Sequence, residues 1–145
     1  GAAVEGIGEL AVRMGLPKMT ARVLVHLLLS EDGRRTAAEL TRELRVSPAS
    51  VSTAVTYLIR QGLIRRERDP RRRRDVYVVD DDTWYVSIVT GARQSLDAAL
   101  RAGEAAAAYG PDSAVGRRLA RGGAFLEKVS RDLLDSAERW RAEIL

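Results

Sequence analysis

The chain has no cysteine and a single histidine, His26. Without thiols it can form neither a disulfide nor a thiol redox centre, and one imidazole with no cysteine excludes a Cys/His zinc site. Aromatic residues make up only 5% of the chain, so a core has to be built from Ala, Val and Leu. Long apolar runs are also missing. The run Val23 to Leu29 is seven residues, far short of the roughly 20 that span a bilayer, so no membrane partner is expected. The opening residues GAAVEGIGEL show neither the basic region nor the extended apolar region of a secretory signal, and a cytoplasmic location is expected. Catalysis would need a nucleophile with its base, paired carboxylates in a cleft, or a metal set. With these shortages and no phosphate-loop motif, the chain is expected not to be an enzyme and to carry no cofactor and no metal.

What is present is a localised positive charge. The 145 residues carry 24 basic and 20 acidic side chains, a net charge of only +4. Between Arg60 and Asp75, however, eight Arg face Glu67, Asp69 and Asp75, a local +5, so the remainder sums to about −1. A patch of this kind suits docking on a polyanion. The hydrophobic content of 46% is enough for one domain with a real core, with an extension.

In chain order, Ile7, Leu10, Ala11 and Met14 recur at helical spacing and predict a short amphipathic helix over Val4 to Met14. A helix this short at a terminus needs its apolar face covered. Gly15-Leu16-Pro17 breaks it. A second helix, about Lys18 to Ser30, is apolar on most sides and should be central. His26 lies within it with no catalytic partner nearby in sequence; it reads as a partly buried structural residue more readily than as a sensor.

The stretch from Thr36 to Val79 organises the rest. Thr36 with Glu39 three residues on forms a capping box for a short helix whose inner face is Leu40 and Leu44. Arg45-Val46-Ser47 is a tight turn. Ser47 then caps a second helix that opens on Pro48, where a missing amide hydrogen does no harm, and Gly62 stops it. Two short helices joined by a three-residue turn present the second to a major groove. Val51, Ala54, Val55 and Leu58 fall on one side of that helix and should face the core. Ala49, Thr53, Thr56 and Arg60 fall opposite, flanked by Ser50, Ser52 and Tyr57. Together with Ser47 and Pro48 these are the candidate recognition residues. Their small, hydroxyl-rich face allows close backbone approach and can bond bases or phosphates. An ordinary solvated face usually carries Glu and Lys, and this one has neither.

Leu63 and Ile64 should begin a strand, with Val76 to Val79 as its return partner and RRERDPRRRR between them. Asp69-Pro70 signals a turn, so Arg71, Arg72, Arg73 and Arg74 lie at or just past the tip, with Arg65, Arg66 and Arg68 toward the base. Four consecutive guanidiniums exceed what three nearby carboxylates can pair. The expectation is a wing whose tip meets a minor groove while arginines at its base hold phosphates. A basic loop binding RNA or a surface nonspecifically is the competing reading.

The segment from about Gly15 to Trp84 resembles the multiple-antibiotic-resistance regulator (MarR) family of winged-helix repressors, in particular the branch similar to glycine-betaine-synthesis regulators. The resemblance is carried by GLPKMTARVLVHLLLSED, AAEL, SPASVSTAVTYLIRQGLI and ERDPRRRRDVYVVDDDTW. It covers about half of the chain. The family's wing often reads Asp-Pro-x-Asp-Arg-Arg. Asp69, Pro70, Arg73 and Arg74 match, but Arg72 replaces the second acid and removes a carboxylate that could tether an arginine. The family's Leu-Thr-x-x-Gly is replaced by Asp80-Asp81-Asp82-Thr83-Trp84, closer to the named branch. The resemblance implies a homodimer on a palindromic operator in double-stranded DNA, usually released by a small-molecule effector.

Beyond the wing, Asp81, Asp82 and Thr83 should cap a helix running to about Ala108, with Gly91 and Gly103 as weak points or close-packing sites. After Tyr109-Gly110-Pro111, Asp112 or Ser113 caps a last helix. Along it Val115, Leu119, Gly122, Leu126, Val129, Leu133, Ser136 and Trp140 make a heptad-like seam suited to a second copy, alongside Ile7, Leu10 and Met14 of the first helix. Packing within one chain is the alternative use of that seam, and Gly122-Gly123 is a natural kink. Trp84, Tyr85, Phe125 and Trp140 could line an effector pocket or serve as core.

The expected fold is therefore mainly α with a small β-hairpin wing: a winged helix-turn-helix over residues 18–80, between a dimerisation helix at 1–17 and a helical dimerisation region at 81–145. The expected function is sequence-specific transcription regulation, as a repressor. A winged-helix protein-interaction module and a nonspecific nucleic-acid binder are the alternatives; a protein-binding version has no need of four adjacent arginines.

Overall fold

The computed structural model describes residues 1–145. In order the elements are α1 (Ala2–Arg13), α2 (Lys18–Leu28), β1 (Arg34–Thr36), α3 (Ala37–Leu44), α4 (Pro48–Arg60), β2 (Arg65–Asp69), β3 (Arg74–Val78), α5 (Asp81–Tyr109) and α6 (Ala114–Ile144). They form two compact units, Gly1–Trp84 and Tyr85–Leu145. No helix is long and apolar enough to cross a membrane.

In the first unit the capping signals act as the sequence indicates. Thr36 accepts from the Glu39 amide at 3.1 Å, and the Glu39 carboxylate accepts from the Thr36 amide at 2.9 Å. Two donors that an α-helix leaves orphaned are thereby satisfied. Arg45 leaves α3 in the left-handed conformation at φ 56°, which turns the chain sharply enough for Ser47 to cap α4 three residues after Leu44. The core comprises Val23, Leu24 and Leu27 of α2, Leu40 of α3, and Val51, Ala54, Val55 and Leu58 of α4, closed by Ile64, Tyr77 and Val79. Leu27, Leu40 and Leu58 have no exposed surface.

The sheet differs from the expected hairpin. It has three antiparallel strands in the order β1-β3-β2, with Arg34 to Thr36 paired to Val78 to Val76. A three-residue strand is too short to show an alternation pattern. It is placed by Gly33, whose φ of +66° and contact with Val79 leave no room for a Cβ, which would stand 2.6 Å from the Val79 carbonyl oxygen. Leu63 and Ile64 precede β2 instead of opening it, because Gly62 (φ 72°) and a Leu63 amide bonded to the Leu58 carbonyl keep them in the helix-ending turn. The polar run RRERD is itself the strand, and Arg74 starts its partner, with Asp69 opposite Arg74. Helix α2 ends at Leu28, two residues before the expected Ser30.

In the second unit, Ser113 caps α6 by accepting from the Gly116 amide at 2.9 Å. From Tyr85 onward the buried positions of α5 are Ala92, Ala99 and Ala106, and those of α6 are Gly116, Gly123 and Ser130. Both sets repeat every seven residues, the interval that returns a helix to the same face. A Cβ added at Gly123 would lie 3.2 Å from the Ala99 carbonyl oxygen and 3.3 Å from the Ala102 Cβ, so the helices meet backbone to backbone there. The contact line is one residue displaced from the expected seam. Leu126, Val129, Leu133 and Trp140 are consequently left 37–51% exposed.

Truncating the core and removing the cap should be separable. Leu40→Ala is expected to lower unfolding stability by about 3 kcal/mol, and Thr36→Ala by about 1 kcal/mol, measured as urea midpoints with unchanged slope. A Leu40→Ala loss below that of Thr36→Ala would contradict the core assigned above.

Candidate nucleic-acid interface

Burial of Val51, Ala54, Val55 and Leu58 turns the other side of α4 outward. Pro48, Ala49, Ser52, Thr53, Thr56 and Arg60 are exposed there, with Ser50 and Tyr57 at intermediate depth. The structure thus brings the expected recognition residues onto one face. Ser47 accepts from the Ser50 amide at 3.1 Å and its hydroxyl lies 2.8 Å from the Ser50 hydroxyl. Thr56 donates to the Ser52 carbonyl at 2.8 Å. A small cleft of about 370 Å³ runs between α4, at Ala49, Thr53 and Tyr57, and the start of α2, at Pro17 and Met19.

The wing sorts its arginines into two groups. Arg65 pairs with Asp80, and with Glu67 at 3.1 Å. Arg66 and Arg68 share Asp75 at 3.6 and 3.5 Å. Glu67 also takes Arg34 of β1 at 2.6 Å, and the bonds from Arg34 and Arg65 hold its carboxyl below the usual glutamate range. Asp80 is pushed up by burial, but Arg65 and the Thr83 amide outweigh this and leave its pKa lowered. At the tip, Asp69 uses its carboxylate on the chain itself, accepting from the Arg71 amide at 3.0 Å and the Arg72 amide at 3.4 Å. Arg73 adopts φ 51° and its amide donates to the Asp69 carbonyl at 2.9 Å. The side chains of Arg71, Arg72, Arg73 and Arg74 are exposed and have no carboxylate within ion-pair distance. Every nearby acid is engaged elsewhere, so four adjacent charges face solvent. Low-dielectric pairing is absent, and an external polyanion would meet them unscreened by the protein's own acids.

Behind the helix-turn-helix lies a network that the sequence did not reveal. His26 Nε2 is 2.8 Å from Glu43, and Arg35 reaches the same carboxylate oxygen at 3.0 Å and Asp32 at 2.8 Å. Arg22 donates to the Leu44 carbonyl at 3.2 Å, satisfying the end of α3 just before the turn. These contacts join α2, β1 and α3 through residues up to 22 apart in sequence, and no local pattern encodes them. His26 is thus a structural partner on the helix-turn-helix. The four aromatic residues considered for a pocket are differently occupied. Trp84 sits beside Leu24, Leu28 and Leu63, Tyr85 is covered by the Arg141 guanidinium at 4.2 Å, Arg139 lies 5.5 Å from the Trp140 ring, and Phe125 is 69% exposed.

The fold and this face define a winged helix-turn-helix. Residues 7–75 match the model of the MarR family. The crystal structure of a transcriptional regulator superposes with a TM-score of 0.85 over 94% of this chain and 94% of that chain, at 23% identity, which shows a shared fold. A comparison with curated proteins returns no match.

The bonds to His26 and then Arg35 lower the Glu43 pKa from its ordinary 4.5. A depressed carboxylate stabilises the fold above its unfolded value and loses that contribution as pH falls through the folded one. Glu43→Gln is therefore expected to lower the melting temperature near neutral pH, with the deficit closing on acidification below about 4.5. A deficit independent of pH would show that the carboxylate charge is not what matters.

Proposed function

We propose that the protein is a MarR-family transcription regulator, a repressor that binds a palindromic operator in double-stranded DNA as a homodimer. The observation that carries this is the coexistence, in one folded unit, of a small hydroxyl-rich α4 face and four wing-tip arginines left without acidic partners. Ser47, Pro48, Ala49, Ser50, Ser52, Thr53, Thr56, Tyr57 and Arg60 take the recognition role. Arg71 to Arg74 supply phosphate and minor-groove affinity, while Arg65, Arg66 and Arg68 first of all hold the wing in shape. The likeness to the glycine-betaine-regulator branch rests on Asp80 to Trp84, where Asp80 and Thr83 cap α5 reciprocally.

The dimer reading draws on unpartnered apolar surface. Ile7 and Leu10 of α1 and Met14 at its end are 44–78% exposed, and Leu126, Val129, Leu133 and Trp140 of α6 are 37–51% exposed; Val115 and Leu119 lie at intermediate depth. Two copies related by a two-fold axis would place their α4 helices in successive major grooves about 34 Å apart. Release by an effector is supported by a cleft of about 850 Å³ between α1 and α2, lined by Val4, Val12, Val25 and Leu29 with Arg13, Lys18 and Arg22 beside them. Arg22 and His26 connect this cleft to α3, so a ligand preferring one arrangement of α1 and α2 shifts the population of DNA-competent molecules.

Gel shift with the DNA upstream of its own operon should show preference over random duplex at moderate salt. Arg71→Ala with Arg72→Ala should weaken binding to every duplex and reduce the salt slope by about 2. An unchanged slope would remove the wing from the interface. Leu126→Glu with Leu133→Glu is expected to yield a folded monomer by sedimentation and to lose operator binding; a dimer that survives both charges sinks this role for α6.

A further inference from the structure

The side chains facing outward from α4 restrict which bases it can read. Guanine is read bidentately by Arg or Lys, adenine by Asn or Gln, and the cytosine amino group by Asp or Glu. From Pro48 to Arg60 none of these occurs except Arg60 itself, the last residue of the helix. The hydroxyls are also not equally available. Ser47 and Ser50 are committed to the cap and to each other. Thr56 donates its hydroxyl hydrogen to the Ser52 carbonyl, which leaves an acceptor oxygen and its γ-methyl to meet a partner. Thr53 keeps both a methyl and a hydroxyl with no bond inside the chain, and it borders the cleft formed with Ala49, Tyr57, Pro17 and Met19. That cleft is predominantly apolar.

Resting on the DNA-binding function proposed above, we propose that α4 selects thymine through its 5-methyl group. Thymine is the base that presents a methyl in the major groove. The Ala49 methyl and the γ-methyls of Thr53 and Thr56 are the contact surface, and the Thr53 hydroxyl bonds the neighbouring base edge. The half-site under the first three turns of α4 is then rich in A·T pairs. Arg60 is the one residue of the helix suited to select guanine, and it does so at the outer edge of the half-site. Where those pairs run as A-tracts the minor groove is also narrow and draws arginines strongly, so helix and wing can favour the same composition.

The test uses the full chain and a pool of random-sequence duplexes. Bound sequences should be enriched in thymine at the positions protected by α4. Replacing each selected thymine in turn with deoxyuridine, which pairs alike but lacks the methyl, should weaken binding about four-fold per contacted methyl. Thr53→Ser, at an exposed position that does not touch the core, should abolish the deoxyuridine effect at one position of each half-site and leave it at the others. Equal affinity for thymine and deoxyuridine duplexes, or guanine enriched beneath the first three turns, overturns methyl reading while specific DNA binding stands. A pool with no enrichment overturns both.

Discussion

The contact between α2 and α4 determines what the rest of the first unit can present. Val23 and Leu27 on one helix meet Val51, Val55 and Leu58 on the other, with Leu40 of α3 closing the layer. Each of these side chains is almost wholly removed from water, so rotation of α4 about its axis would expose apolar surface and open voids in a close-packed core. The helix is therefore fixed in azimuth, and Ala49, Thr53 and Thr56 are held outward by the burial of residues two or three positions away. The backbone solves the remaining problem. Arg45 at positive φ, the Ser47 cap and Pro48 place the start of α4 without a long loop, and Arg22 closes the carbonyl end of α3.

Charge is divided with similar economy. Glu67, Asp75 and Asp80 neutralise the arginines that rise from the sheet, and Asp69 bonds backbone amides at the turn. Exposed pairs of this type contribute little to stability individually. Their consequence is positional, because each carboxylate used at the base of the wing is unavailable at its tip. Arg72 strengthens this, since an acid at that position would remove one positive charge from the tip and could tether a neighbouring arginine. A wing with a looser distribution of acids would carry the same net charge and a weaker local field.

Much of this was legible in the residues. The two caps, the buried face of α4 and the location of the arginine cluster follow from local chemistry, in which a cap or a heptad interval acts within a few residues of itself. The third strand was not legible, since Arg34 to Thr36 is held by Gly33 and by pairing to residues some 40 positions away, and its own composition is not strand-like. The beginning of β2 is hard to read from the residues for a related reason. Apolar Leu63 and Ile64 look like strand residues but serve the helix-ending turn and the core, while RRERD forms a strand because β3 offers it a register. Side-chain contacts spanning 17 residues, such as His26 to Glu43, belong to tertiary structure alone.

The last helix pair shows why composition can mislead about which surface is internal. The large apolar residues of α6 include Leu126, Val129, Leu133 and Trp140, yet its buried positions are Gly116, Gly123 and Ser130, with Gly123 against Ala99 and Ala102 of α5 and Gly116 against Gly110 of the turn. Small residues permit close approach of the two backbones, but they bury little area, and burial is worth only about 25 cal/mol per Å². Helices of 29 and 31 residues joined along such a line gain little from that contact for their length. The larger side chains, on the neighbouring positions of the same helix, are where substantial additional burial is available. In the proposed dimer those side chains supply it. Stability of the helical region and pairing of the two copies would then rest on the same side chains, so that whatever loosens the apolar face of α6 weakens both.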